Sequence, residues 1–273
     1  MNRKARRPYM IAIYLVICIV LIISANPQKD MKEVSVPILM YHHVTEEGGT
    51  YAVTPDKLRQ DLLDLQAAGY TTVFFDELIA YGKGEATLPD KPVIITFDDG
   101  YRSNYEKALP VFEELDMKGE ISIVVSAVNE GSWTFDWDEA RELEGSGHMK
   151  LRCHTFNMHE YSESGEVTRY GITKAKGESL KDWKAAFTAD VTAANETFQK
   201  ELGHHPLVYT YPYGSMSRHS EKILKENGYL VTLGVEKSVN EIHFGKPNGL
   251  YKLYRIGVDN YEGNVVDKIG EYL

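Results

Sequence analysis

Residues 96–100 read Thr-Phe-Asp-Asp-Gly and close the apolar run Val93-Ile94-Ile95. A β-branched run ending in two carboxylates and a glycine predicts a buried strand that delivers acid groups to its C-terminal edge. Adjacent carboxylates repel, so Asp98 and Asp99 ask for a metal ion or a shared proton. Candidate ligands follow in Cys153-His154-Thr155-Phe156-Asn157-Met158-His159. The two histidines are five positions apart, and on an α-helix that spacing sets them about 140° apart. The helical zinc-protease spacing of four is therefore excluded, whereas a strand end turning into a loop can bring both imidazoles to one ion. Two histidines and an aspartate leave positions open for water and substrate, which suits metal-assisted hydrolysis. Non-haem iron oxygenases use the same ligand types, so the ligands alone do not fix the reaction.

Taken singly, these residues have plainer meanings. Asp-Asp-Gly and Tyr211-Pro212-Tyr213-Gly214 are ordinary turn sequences, and two histidines are usually just two histidines. Their placement is what separates them from that background. Asp98 and Asp99 follow one predicted strand, His154 a second, Tyr211 to Gly214 a third, and His42 the first.

The elements that must position them alternate along the chain. Strands are predicted at Val34–Tyr41, Thr71–Phe75, the run before Asp98, Ile121–Ser126, Met149–Cys153, Leu207–Tyr211, Leu230–Val235 and Tyr251–Ile256. Helical patterns fall at Thr54–Gly69 (a cap, then Pro55), Asp76–Tyr81, Asn104–Asp116, Trp137–Leu143, Leu180–Leu202 and Val265–Tyr272. Strands separated by helices imply a parallel sheet with right-handed crossovers. Seven or so such units with no break in composition predict an α/β fold, a closed or nearly closed (β/α) barrel rather than an open sheet. In such a barrel the chemistry sits at the C-terminal edge of the strands. The polar stretch Glu160–Gly177 lacks periodicity and is expected to be a surface loop beside the site.

At 273 residues and 43% hydrophobic, the chain can bury one sizeable core. Arg3, Lys4, Arg6 and Arg7 precede an uncharged stretch, Tyr9 to Ser24, rich in Ile, Val and Leu. That pattern predicts a signal anchor in residues 1–25 with the basic end inside, or else a secretory signal. Residues 26–33 then form a linker, and residues 34–273 a catalytic domain outside the cytoplasm. Ile23 is bulky where a cleavage site prefers a small residue, which favours the uncleaved anchor. The whole chain carries −10, and the first 25 residues hold four basic and no acidic groups, so the remainder stands at −14. Such a surface argues against nucleic acid and anionic polymers, and is compatible with a neutral substrate. Cys18 lies in the apolar stretch and Cys153 is alone in the domain, so the domain has no internal disulfide.

Thr96-Phe97-Asp98-Asp99-Gly100, His154-Thr155-x-x-x-His159 and Tyr211-Pro212-Tyr213-Gly214 together resemble the motifs of the polysaccharide deacetylase family. Pro37-Ile38-Leu39-Met40-Tyr41-His42-His43 resembles the opening strand of one branch, and the likeness covers about residues 35–260. The resemblance implies a distorted (β/α) barrel and metal-dependent removal of acetyl groups from N-acetylglucosamine-containing polysaccharide, a cell-wall or exported glycan. It implies Asp99, His154 and His159 as ligands of a divalent metal, zinc foremost, with Co2+, Mn2+ and Fe2+ also suited to the set. Asp98 is then the base for the attacking water, and the backbone N–H of Tyr213 meets the oxyanion.

Two features depart from the common pattern. The late Leu-x-His motif is not recognisable; His42, at the end of the first strand, resembles the histidine that replaces it in the branch acting on exported poly-N-acetylglucosamine, and the resemblance implies His42 as general acid, ahead of His43 and His243. The arginine usual near the Pro-Tyr turn is also missing, Tyr209, Thr210 and Tyr211 standing there instead. Arg255 either substitutes for it or makes an ordinary surface or barrel-end salt bridge. Cys153 is expected to pack, pointing away from His154 by strand alternation. Trp133 and Trp137 are candidates for a sugar-stacking wall, Trp137 more readily a core residue. A catalytically degenerate glycan-binding protein and a hydrolase of a non-carbohydrate amide on the same scaffold are the rival readings.

Overall fold

The computed structural model describes residues 33–159 and 169–273. The expected anchor, the linker up to residue 32 and residues 160–168 of the expected loop lie outside the described residues. Strands occur at Glu33–Val36 (β1), Ile38–Tyr41 (β2), His43–Val44 (β3), Ala52–Val53 (β4), Thr71–Thr72 (β5) and Pro92–Asp99 (β6). They continue at Gly119–Val124 (β7), Met149–Thr155 (β8), Val208–Thr210 (β9), Val231–Leu233 (β10), Asn240–His243 (β11) and Ile256–Gly257 (β12). The main sheet runs β10-β9-β8-β7-β6-β2-β12, all parallel, with β5 paired to the start of β6. This is the expected distorted (β/α) barrel.

The barrel is completed by an irregular segment rather than a full strand. Leu253 bonds to Thr232 and Gly234 at the β10 edge, and three residues later Ile256 and Gly257 pair with Leu39 and Met40 of β2. The expected strand Tyr251–Ile256 is therefore mostly absent, because one short segment must cross from one sheet edge to the other. Arg255 sits in that crossing. The expected strand Val34–Tyr41 is likewise broken at Pro37, which has no N–H to give a ladder. Its first half, β1, pairs with β11 instead, and only β2 enters the barrel. Strand β5 stops at Thr72 because the amide of Phe75 donates to buried Glu120 and a helix begins there.

Helices fill the crossovers: α1 (Pro55–Ala67), α2 (Phe75–Lys83), α3 (Leu109–Leu115), α4 (Trp137–Gly145), α5 (Leu180–Glu201), α6 (Arg218–Glu226) and α7 (Val265–Gly270). Their starts are set by side chains that accept otherwise unpaired amides: Thr54 from Lys57, Asp136 from Glu139, Ser179 from Asp182 and Ser217 from Ser220. The expected helix from Asn104 opens as a wide π-turn over Asn104–Ala108 before α3, ahead of Pro110. Helix α6 and strand β11 were not expected. Among the described residues no helix is long and apolar enough to cross a membrane.

Alternation along the strands divides the core in two. Leu39, Tyr41, Val93, Ile95, Phe97, Ile121, Ile123, Leu151, Cys153 and Tyr209 belong to the apolar layer packed beneath the helices. The other face lines the barrel and is unusually polar: Thr96, Asp98, Glu120, Ser122, Arg152, His154 and Thr210 are all buried there, with Arg255.

Candidate active site and metal centre

An unbroken strand would send Asp98 and Asp99 to opposite faces. Here Asp98 keeps the inward position, and Asp99 leaves the extended conformation with φ 71°. Aspartate tolerates this left-handed geometry better than most residues, and the turn brings the second carboxylate back over the barrel mouth. Gly100 continues it at φ 79°, where an added Cβ would lie 3.0 Å from Ile123. The Asp-Asp-Gly sequence is thus the device that delivers two carboxylates to one site.

His154 projects from β8 into the barrel. Its Nδ1–H donates to the carbonyl of Thr210 at 2.7 Å, which leaves Nε2 with its lone pair facing the mouth. Burial lowers its pKa to about 4, so the ring is neutral. The chain turns after Thr155 and returns His159, whose Nε2 lies 3.2 Å from that of His154 and 3.2 Å from Asp99 Oδ1. The third edge, His154 Nε2 to Asp99 Oδ1, is 3.5 Å. Tetrahedral zinc with bonds of about 2.0–2.2 Å sets neighbouring donors about 3.3–3.5 Å apart. The three donors therefore form one face of such a polyhedron and fit a divalent ion. Among the described residues they are also the one group of three or more His, Cys, Asp or Glu with this closeness. The hydroxyl of Tyr213 lies 3.0 Å from His159 Nδ1, with Tyr213 itself at φ 54° in the Pro-Tyr-Gly turn. Tyr101 directly follows the Asp-Asp-Gly turn, and burial, with the charge of Asp99 next, pushes the pKa of its hydroxyl up.

Asp98 has a different partner. Arg255 grips it with both terminal nitrogens, Nη1 to Oδ1 at 2.7 Å and Nη2 to Oδ2 at 2.8 Å, while Arg255 Nε donates to the carbonyl of Gly234. Burial alone would raise the pKa of Asp98, but the charge of Arg255 and its hydrogen bonds outweigh it and the net direction is down. Asp98 is therefore a carboxylate. The surface salt-bridge reading of Arg255 is overturned, since the side chain is fully buried inside the barrel.

His42 lies at the end of β2 with Nδ1 2.7 Å from Asp259 Oδ2, and its backbone N–H donates to the other oxygen of Asp259 at 2.9 Å. Burial works against the charged ring. The hydrogen bond to Asp259 and the charges of Asp98, Asp259 and Asp99 outweigh it, so the pKa is raised. His43 instead accepts from the Ser103 hydroxyl, which itself accepts from Val44 N–H, and its pKa is lowered by burial. His243 is exposed on β11, paired to β1 at the other end of the barrel, and is not brought to the site. Cys153 is buried in the apolar layer beneath the helices, on the face away from His154. Trp137 starts α4 and packs against the core, whereas Trp133 is 71% exposed. Trp133 sits near the mouth, because its carbonyl accepts from Arg102 N–H and Thr134 bridges to Tyr101.

The family model for polysaccharide deacetylase matches residues 85–232, more than half of the chain. The chain belongs to the polysaccharide deacetylase family. It is 24% identical over 217 residues to a poly-β-1,6-N-acetyl-D-glucosamine N-deacetylase of Escherichia coli K12, covering 70% of this chain but 32% of that protein. The chain thus spans about a third of that relative's length. A protein of the same name from Staphylococcus aureus MRSA252 is 22% identical over 233 residues, covering 78% of this chain and 77% of the relative. Among solved structures, a de-N-acetylase from Aggregatibacter actinomycetemcomitans superposes with a TM-score of 0.76 at 22% identity, over 88% of this chain and all of that one. That likeness establishes the deacetylase fold. The matched span contains Asp98, Asp99, His154, His159 and Tyr213 but neither His42 nor Arg255 and Asp259, which lie outside it.

Sequence reasoning missed Asp259 and Tyr101. Asp259 follows β12 by two residues, so an acid at the end of the last strand was the available signal. Tyr101 directly follows Asp-Asp-Gly.

Proposed function

We propose that this deacetylase-family chain is a metal-dependent N-deacetylase of glycan bearing N-acetylglucosamine, held outside a membrane by residues 9–24, with residues 34–273 as its catalytic domain. The observation that carries the reading is the triangle of Asp99, His154 and His159 flanked by two differently poised groups, Asp98–Arg255 and His42–Asp259. A divalent ion on the triangle, zinc foremost, would lower the pKa of a water and polarise the acetamide carbonyl.

The remaining steps belong to the protein. Asp98, kept ionised by Arg255, accepts the proton of the attacking water at a carboxylate oxygen. The backbone N–H of Tyr213 is proposed to face the developing oxyanion, where a preorganised donor contributes most. His42, with Nδ1 tied to Asp259 and its charged form favoured, gives the Nε2 proton to the departing amine. Free acetate and a glucosamine unit result. The bidentate grip of Arg255 supplies the base-orienting partner whose apparent lack kept the binding-only reading open.

A sugar chain as ligand is supported by the rim. Trp133, Tyr51 and Tyr170 are exposed aromatics that touch or adjoin residues of the mouth: Tyr51 lies against the His42 ring, and Tyr170 against Tyr213. Such faces suit the apolar faces of pyranose rings. A cavity of about 400 Å³ opens beside Asp259, lined also by Glu47, Gly48, Thr54 and Tyr261, with room for a flanking unit.

Acetate release from chitooligosaccharides and from purified peptidoglycan tests the proposal, using the detergent-solubilised full chain, its Asp98→Asn variant and the chelated protein. Release that chelation and Asp98→Asn both abolish supports it. No acetate from either glycan with metal bound shifts the reading to another amide. A chain that binds glycan but no metal is a degenerate binder. Release of the domain from membranes on deletion of residues 1–25 tests the anchor.

A further inference from the structure

We propose that Asp190, on α5, is a positioning residue for the metal centre, its carboxylate folding residues 155–157 so that His159 returns to His154 and Asp99. This rests on the metal-centre reading above. The inward stripe of α5 is otherwise apolar, with Trp183, Phe187, Val191, Ala194 and Phe198. A carboxylate in that stripe, 8% exposed, is costly to bury and needs a full set of donors. Among the described residues no ion pair includes Asp190, and every hydrogen bond to its side chain comes from one turn. Oδ2 accepts from the Thr155 hydroxyl at 2.8 Å and from Phe156 N–H at 3.0 Å, and Oδ1 accepts from Asn157 N–H at 2.7 Å.

The turn is tied further along the same path. Thr155 Oγ1 accepts from Met158 N–H at 2.9 Å, so residues 155 to 158 are each bonded into the network that starts at Asp190. On the other side, the Phe156 carbonyl accepts from Ser126 N–H at 2.9 Å. The next residue is His159. Two histidines five apart do not converge on a regular helix, and an extended strand would carry the second away from the first. Something outside the motif must bend the chain, and Asp190 is the group that receives the bent chain's amides. The chemistry of the anchor is specific. Three donors converge on it and no acceptor does, so an amide at this position would turn an N–H toward another N–H.

The test is metal binding, read without turnover. Co2+ is titrated into the metal-free full chain by visible absorption and by calorimetry, for wild type, Asp190→Asn, Thr155→Val and Thr155→Ser. Glu221→Gln serves as a control: Glu221, on α6, is a similarly buried carboxylate, bonded by the hydroxyls of Tyr211 and Thr232 and outside the metal cluster. Outer partners of metal ligands typically contribute about 10–100-fold in affinity. Asp190→Asn is expected to weaken Co2+ binding by about that factor and to change the absorption spectrum. Thr155→Val should follow in the same direction by less, and Thr155→Ser should restore wild-type binding. Glu221→Gln should lower the melting temperature and leave Co2+ affinity alone. Unchanged Co2+ affinity and spectrum in Asp190→Asn overturn the proposal while leaving the metal centre intact. Should that variant not fold, unchanged affinity in Thr155→Val overturns it equally. Wild type that binds no Co2+ removes the metal-centre reading, and the proposal with it.

Discussion

The barrel buries two arginine–carboxylate pairs, one toward each end, and they differ in their company. At the N-terminal end Arg152 binds Glu120 and reaches Asp76, while Glu120 also accepts from Phe75 N–H at the start of α2. At the C-terminal end Arg255 binds Asp98 with both nitrogens. Burial dominates at Glu120 and its pKa goes up; at Asp98 the charge of Arg255 wins and the pKa goes down. The lower pair spends its hydrogen bonds on the protein and plugs the barrel. The upper pair stands beside His42, His154 and a carboxylate held by two imidazoles, under an open mouth. A buried ion pair is thus no mark of function by itself. Its neighbours make it one.

The largest expected effect separates the two ends. Asp98→Asn should lower acetate release per folded molecule by about 10²–10⁴-fold, the usual worth of a positioned base, and should also cost stability, because it leaves Arg255 buried without its partner. Glu120→Gln should share only the second effect: activity near wild type in the folded fraction, and a loss of about 3–5 kcal/mol in denaturant unfolding for breaking a buried pair. Loss of activity at unchanged stability in Glu120→Gln would end the division of labour. Within the upper end, Arg255→Met leaves Asp98 with burial as the dominant influence, so its pKa should rise. A base must be ionised, and the acid limb of the pH–rate profile is then expected to move to higher pH. A profile that keeps its acid limb would show that Arg255 does not set the state of Asp98.

A smaller effect is expected at His42, measured as pH dependence. An acid must carry its proton, and the pKa of His42 is raised, so activity should fall as pH rises through the folded value. Asp259→Asn removes a hydrogen bond and a negative charge that both favour the protonated ring. The alkaline limb should move to lower pH, with kcat at neutral pH down by roughly tenfold, at the low end of acid–base contributions. An alkaline limb that stays in place would assign the acid to another group.

How far the two ends were legible in the sequence follows from the range of their contacts. Asp98, Asp99, His154, His159 and Tyr213 were visible because each lies at or just past an apolar run, and strand ends in a βα barrel meet at one face. Pairings across the barrel were not. Arg255 and Asp98 are 157 residues apart, and His42 and Asp259 217. Both contacts depend on where the crossing segment 253–257 closes the ring, which no local periodicity encodes. Pro37 was a readable break in the first strand, since proline cannot donate to a central ladder. Glu120 and Arg152, alternating with apolar neighbours on β7 and β8, gave no sign that their face was the inside.

The smallest expected effect tests what the open end of the barrel is open to. Trp133 is exposed and adjoins the mouth through the Thr134–Tyr101 bridge, yet it belongs to no core cluster among the described residues. A pyranose laid on its ring would cover roughly 40 Å² of apolar surface, worth about 1 kcal/mol at about 25 cal/mol per Å². Trp133→Ala should therefore raise KM for a chitooligosaccharide about fivefold and leave kcat alone, the pattern of binding energy shared by ground and transition states. The melting temperature should hardly move, because the side chain is largely exposed. The same substitution should not affect a short N-acetylated amide too small to reach the rim. A fall in kcat with KM unchanged would place Trp133 among the groups that act on the reacting atoms. No change on any substrate would mean that the glycan path leaves the mouth on another side, by Tyr51 and the cavity beside Asp259.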